Sequence, residues 1–220
     1  MSLKTGLQHY WKMDEASGTR VDSIGTADLD DYGTTGYREG KLGNAIASTD
    51  SSDGLYTSDA VTFDGGDFTV SLWMYWDAVA GDSSPPYIVI DKTDNFRFAL
   101  TTNANTGNVW WGADDSGSSI TVETGGWHHV VLWYDHSEST GYHVVDDGSA
   151  TSTNTGSYAT NANVIRAGGT GVAGRMCGAL DEVGIWNRIL SSDERTQLYN
   201  GGNGLKLAGF GPKGNQVIWF

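Results

Sequence analysis

The chain has 220 residues, among them 31 glycines, 3 prolines and 9 tryptophans, with 38% hydrophobic and 18% charged residues. That is ample apolar material for one β domain, and it excludes a disordered chain and, since the glycines keep no period of three, a collagen-like one. Thirteen Lys and Arg against 27 Asp and Glu give a formal charge of −14, which disfavours nucleic acid and anionic membrane surfaces as partners.

The N-terminus, Met1 to Gly6, lacks a charged region followed by an apolar stretch, so no secretory signal is expected. No apolar run reaches the roughly 20 residues of a membrane helix, and a soluble protein is expected. From Phe68 the pattern has period two: Phe68, Val70, Leu72, Met74 and Trp76 alternate with Thr69, Ser71, Trp73 and Tyr75. Asn95 to Thr101 repeats it. Trp127 to Asp135 carries bulky residues on both faces, as a strand inside a partly covered sandwich would. Asp64-Gly65-Gly66, Asp114 to Gly117 and Asp147-Gly148 read as turns between strands.

One short helix is expected near the end. Ser191 and Glu194 have capping-box spacing, Leu198 and Tyr199 follow, and Gly201 terminates it. Many short strands with one late helix predict an all-β fold, a two-sheet antiparallel β-sandwich or jelly roll, in a single domain over 1–202. Residues 203–220 stand apart, with two Lys, no acid and a strand-like end.

Catalytic patterns are missing. The six Glu, at 15, 39, 123, 138, 182 and 194, never pair at strand spacing, so a retaining glycosidase of the Glu-x-Asp-x-Glu type is not expected. His128 and His129 are neighbours on a strand and face opposite ways, one packed and one nearer solvent. Gly169 to Gly174 spells a dinucleotide fingerprint, yet no helix follows it. Cys177 is single, which rules out an intrachain disulfide and fits a small buried residue. No enzyme is expected.

The aromatics point to binding instead. Trp110 and Trp111 are consecutive, so both indoles cannot face one core. Trp73 and Tyr75 share a face with Thr69 and Ser71, the arrangement of a sugar-stacking surface or of second-layer packing.

Several blocks carry a resemblance. Tyr10 to Gly18, Val21 to Gly25, Gly40 to Ala45, Asp67 to Met74, Trp127 to Val131 and Gly178 to Ser191 resemble, in order, the blocks of laminin-G-like domains of the concanavalin A-like superfamily. Two departures stand out: an extra Asp in Val145-Asp146-Asp147-Gly148, expected to bulge that hairpin, and a polar insertion at 48–53. The resemblance implies a structural calcium ion joining the two ends of the domain. Asp181 is its recurrent ligand position and Asp14 and Asp22 the matching N-terminal acids; a metal-free turn cap at Asp181 is the alternative.

Two functions fit. One is a non-enzymatic structural or attachment protein on a virus particle, such as a phage capsid decoration or tail component. It would be homo-oligomeric and possess a virion-surface location, with glycan contact as an added role. The other is a carbohydrate-binding module of an extracellular adhesion or glycan-degrading system. Phe210, Val217, Ile218, Trp219 and Phe220 favour the first, because an apolar tail has reason to dock on a partner or to add a strand.

Overall fold

A computed structural model describes residues 2–33, 35–48, 53–62, 65–77, 87–93, 95–100, 106–111, 116–154, 162–169, 176 and 178–207. Its strands are β1 (Leu7–Trp11), β2 (Leu29–Tyr32), β3 (Gly36–Glu39), β4 (Asn44–Ser48), β5 (Gly54–Thr57), β6 (Phe68–Trp76), β7 (Tyr87–Lys92) and β8 (Phe96–Leu100). They continue with β9 (Thr106–Trp111), β10 (Ser116–Thr121), β11 (Trp127–Asp135), β12 (Thr140–Val145), β13 (Thr151–Asn154), β14 (Ile165–Ala167) and β15 (Gly178–Trp186), followed by the helix α1 (Ser192–Tyr199).

The strands form two antiparallel sheets. One has eight strands in the order β13-β12-β11-β6-β15-β4-β3, with β1 on the second half of β15. The other has seven, in the order β10-β9-β8-β7-β14-β5-β2. The chain folds as the expected antiparallel β-sandwich. Alternation explains why: one row of β6 (Phe68, Val70, Leu72, Met74, Trp76) faces Phe98, Val109, Ile90 and Leu55 of the other sheet, all buried in one core.

The eight-stranded sheet is also covered on its outer side. α1 begins with the expected capping box, Ser191 and Glu194 bonding each other's backbone. It ends at Asn200, left-handed at φ 51°, one residue before the expected glycine. Arg188 grips Glu194 at 2.7 and 2.8 Å and also donates to Thr5 O. Trp186 Nε1 donates to Leu3 O at 2.7 Å. A second apolar cluster of Leu3, Leu7, Tyr10, Trp186, Leu190, Leu198 and Leu207 results. Residues 203–207 thus lie against the sandwich: the Leu207 N–H meets Tyr10 OH, and Lys206 Nζ lies 2.9 Å from Asp14 Oδ2. Phe210, Val217, Ile218, Trp219 and Phe220 lie outside the described residues, as do Cys177 and Thr170 to Gly174.

The extra aspartate makes a turn. Asp146 and Asp147 are both left-handed, at φ 51° and 58°, and Gly148 N bonds Val145 O. Asp146 then reaches back to β11, accepting the His129 N–H at 2.9 Å. The departure from the family pattern ties the hairpin to its neighbour strand.

Candidate functional site

Among the described residues, no element is packed over the outer face of the seven-stranded sheet. Strand pairing sets one row of outward side chains across it: Asp30, Tyr56, Arg166, Asp91, Arg97, Trp110 and Gly117 are successive cross-strand partners. Their neighbours in the chain, Leu55, Ala167, Ile90, Phe98 and Val109, form the core-facing row. From β5 to β9 the row crosses four interstrand steps of about 4.8 Å, roughly 19 Å in all.

The row has aromatic ends and a charged middle. At one end Tyr56 and Tyr32, 38% and 46% exposed, border a cleft of about 300 Å³ with Arg166 and Gly169. Gly54 lets the Gly169 backbone come close beside the cleft, since a Cβ there would lie 2.9 Å from Gly169 O. At the other end the Trp110 indole lies over Gly117, whose Cβ would approach its Cδ1 to 2.9 Å. In the middle Arg166 Nη1 contacts Thr93 Oγ1 at 3.0 Å and Asp91 Oδ2 at 3.5 Å. Asp91 is 1% exposed, and burial raises its carboxyl against the pull of Arg166 and Arg97. Asp91 Oδ1 and Arg97 Nε are buried with no hydrogen-bond partner among the described residues. Buried polar atoms are normally satisfied, and these two lie unsatisfied beneath the outward row.

The expected aromatics divide between the two sheets. Trp110 belongs to this row and is half-buried; the Trp111 side chain lies outside the described residues. Trp73, expected on a sugar-stacking surface, offers none. It is 3% exposed, stacked under Tyr199 of α1 at 6.0 Å and capped by Lys41 at 4.6 Å. Alternation put Trp73 on the outer face, and the helix then covered that face. Tyr75, its partner on β6, is half-buried with Arg38 stacked 4.1 Å over its ring and Trp127 at its edge. Tyr56, Tyr32, Arg166, Asp91 and Arg97 were not anticipated. For Arg166 and Arg97 the signal is a charged residue between apolar neighbours, Ile165-Arg166-Ala167 and Phe96-Arg97-Phe98, which marks an outward position without showing that the five converge.

The three aspartates do not share a site. Asp22 is fully buried and saturated: Oδ1 accepts the N–H groups of Tyr10, Ile24 and Gly25, while Oδ2 takes Ala27 N–H and His9 Nδ1. Every acceptor position is used, so as a calcium ligand Asp22 is corrected to a structural turn cap. Asp14 and Asp181 both reach the 40–44 loop, where Asp14 Oδ1 accepts Asn44 N–H and Asp181 Oδ2 accepts Leu42 N–H. Burial pushes Asp181 up to about 7, the Leu42 N–H opposing, and its Oδ1 has no partner among the described residues. The next residue, Glu182, sits on a bulge at φ 50°; burial pushes it up to about 8. An orphaned carboxylate oxygen on Asp181 fits a cation. Among the described residues no three His, Cys, Asp or Glu side chains gather to hold a metal, so backbone carbonyls would have to supply most ligands.

The adjacent histidines point opposite ways. His129 is buried between Trp73 and Tyr199, with Nε2 2.8 Å from Ser71 Oγ; burial pushes it down to about 4. His128 is nearer solvent, and its Nδ1 lies 2.6 Å from Asp146 Oδ2, a bond that raises it.

Comparison with known proteins agrees with this architecture. A search of curated sequences gives no match. Domain 4 of AbnA, an extracellular arabinanase from Geobacillus stearothermophilus solved with arabinotriose, is similar at TM-score 0.63 and 20% identity, over 86% of this chain and 96% of that one. Trypanosoma rangeli sialidase in complex with sialic acid gives 0.70 and 18% identity over 92% of this chain and 34% of its own. The binding domain of Paraclostridial Mosquitocidal Protein 1 gives 0.68 and 13%, over 91% and 53%. This chain therefore spans about half the toxin binding domain and a third of the sialidase. At such identities the likeness concerns fold alone. A laminin-G-type family model, described as concanavalin A-like lectin/glucanases superfamily, matches residues 49–194, about two thirds of the sequence. With sandwich, motifs and matched span in agreement, the chain belongs to the laminin-G-like family of the concanavalin A-like superfamily.

Proposed function

We propose that the domain is a non-catalytic module that binds glycans on the open face of its seven-stranded sheet. The observation that carries this is the row from Tyr56 to Trp110. Tyr56, Tyr32 and Trp110 offer flat apolar faces to sugar C–H groups. Arg166 and Arg97 offer donors to hydroxyls above the buried Asp91, and because the three are cross-strand partners on a sheet, little ordering is needed on binding. The complexes of the similar structures, the arabinanase domain with arabinotriose and the sialidase with sialic acid, support the ligand class. A glycan array tests it: wild type should bind a defined subset, and Arg166→Ala should lose that subset at least tenfold. An array blank for wild type would remove the reading.

A narrower form of the proposal sets the module on a virus particle, in a homo-oligomeric assembly attached through the tail. Its support is the tail's composition, two Lys and no acid in 203–220 against −16 elsewhere. Deleting 208–220 should leave a folded monomer that no longer assembles or co-sediments with a particle; an unfolded or still-assembled product would contradict it.

For the cation, we propose that Asp181, with backbone carbonyls of the 40–44 loop and the strand end near Asp14, holds calcium. The ion would neutralise a buried carboxylate and tie the N-terminal segment to β15. Lys206 already neutralises Asp14 from the solvent side.

A further inference from the structure

His9 is held unusually firmly for a residue at the rim of the sandwich. Its ring lies parallel to Trp11, with centroids 5.5 Å apart and planes 6° apart, and its Nδ1 is 2.7 Å from Asp22 Oδ2. The other partners of Asp22 are backbone N–H groups that can only donate, so the carboxylate is the acceptor and Nδ1 carries the proton. Gly25 closes the back of the pair: a Cβ there would lie 2.6 Å from Asp22 Oδ2 and 2.7 Å from His9 Nδ1. The remaining nitrogen, Nε2, makes no hydrogen bond to a described residue. His9 borders a cleft of about 130 Å³, lined with Gln8, Val61, Thr62, Gly66, Asp67 and Asn187, where β1, residues 61–62 and 66–67 and the end of β15 meet.

The lining selects a chemistry. Among the described residues it holds an imidazole, a carboxylate, two carboxamides, a hydroxyl and one apolar side chain, with no Lys or Arg. An anion would meet Asp67 unopposed on a chain of formal charge −14. Among the described residues a metal would find His9 and Asp67 only, short of the three or four ligands a site needs. Alternating donors and acceptors beside an apolar wall suit a neutral hydroxyl-bearing ligand. At about 130 Å³ the cleft is small, below the usual range of ligand pockets, and suits a single small unit and not a chain.

We propose that this cleft binds a single neutral sugar ring or short polyol, with His9 Nε2 accepting a hydrogen bond from a ligand hydroxyl and Asp67 and Asn187 engaging its neighbours. Asp22 acts as a positioning residue that fixes the imidazole. The site is independent of the open-face row, none of whose residues line it.

The test uses the whole chain and NMR of the His9 Cε1–H signal, titrated separately with D-glucose, D-galactose, L-arabinose and glycerol, and with phosphate and zinc chloride as contrasts. At least one neutral probe should shift the signal saturably in the millimolar range. Asn187→Ala and Asp67→Ala, both at solvent-exposed positions, should weaken that response at least tenfold, and Tyr56→Ala should leave it unchanged. A signal unmoved by all four neutral probes, or moved only by phosphate or zinc, overturns the proposal. So does a response that both rim variants leave intact.

Discussion

The outer faces of the two sheets start from similar material, aromatics and polar groups at alternate positions, and meet opposite fates. On the eight-stranded sheet, Trp73, His129 and Ser71 lie beneath α1 and the 203–207 segment, where each is buried. On the seven-stranded sheet, Tyr56, Arg166 and Trp110 have no described element packed over them. The difference shows that outward orientation alone does not make a site: what the chain lays over a face decides whether its aromatics stabilise or bind. The covering is held by Arg188, Trp186 and Tyr10, which join the N-terminal segment, α1 and the 203–207 segment.

The largest expected effect is on the covered face. Trp73→Ala removes an indole packed between Tyr199, His129 and Lys41 and should cost about 3–5 kcal/mol, read as a lower urea midpoint. Near-wild-type stability would mean that the helix does not depend on this packing. Next is the clamp that holds α1. Arg188 keeps the Glu194 carboxyl at about 2, below its ordinary 4.5. The stability it contributes is complete above about pH 4.5 and is lost as pH falls towards 2. Glu194→Gln should cost about 3 kcal/mol at neutral pH and flatten the acid side of the stability profile; an unchanged acid slope would exclude Glu194 as its source.

Calcium sharpens the comparison, because its proposed ligand lies on the covered sheet. At a hundredfold excess over Kd, calcium should add about 2.7 kcal/mol and raise the melting temperature. Asp181→Asn should abolish that response, whereas Asp22→Asn should lower stability and leave the response in place. A melting curve indifferent to calcium and to chelator removes the ion. The smallest stability effect belongs to the open face. Tyr56→Ala should change stability by less than about 0.5 kcal/mol, as an exposed substitution does, while glycan affinity falls at least tenfold. A large loss of stability there would make Tyr56 part of the packing.

Much of this fold is legible in the residues. Period two places β6 and β11, the Ser191–Glu194 spacing places α1, and the ordered blocks identify the family. The open-face site is hardly legible, because its members are scattered from Tyr56 to Arg166 and meet through the pairings β5–β14–β7–β8–β9. Trp110 was visible because two consecutive indoles cannot share a face; Arg97 became its neighbour only through strand register. Trp73 misled for the complementary reason, since alternation gives its direction and not the helix that arrives 120 residues later. Asp22 misled because backbone N–H groups, which no sequence pattern displays, already occupy its oxygens.

The central claim is that the open face, and not the covered one, is where glycan binds. Amide chemical-shift mapping with the strongest glycan from the array tests it most directly. Perturbations should concentrate at Tyr56, Asp91, Arg97, Trp110 and Arg166 and saturate with the bulk affinity. Perturbations centred on Trp73, Tyr75 and Tyr199, with that row silent, would contradict it.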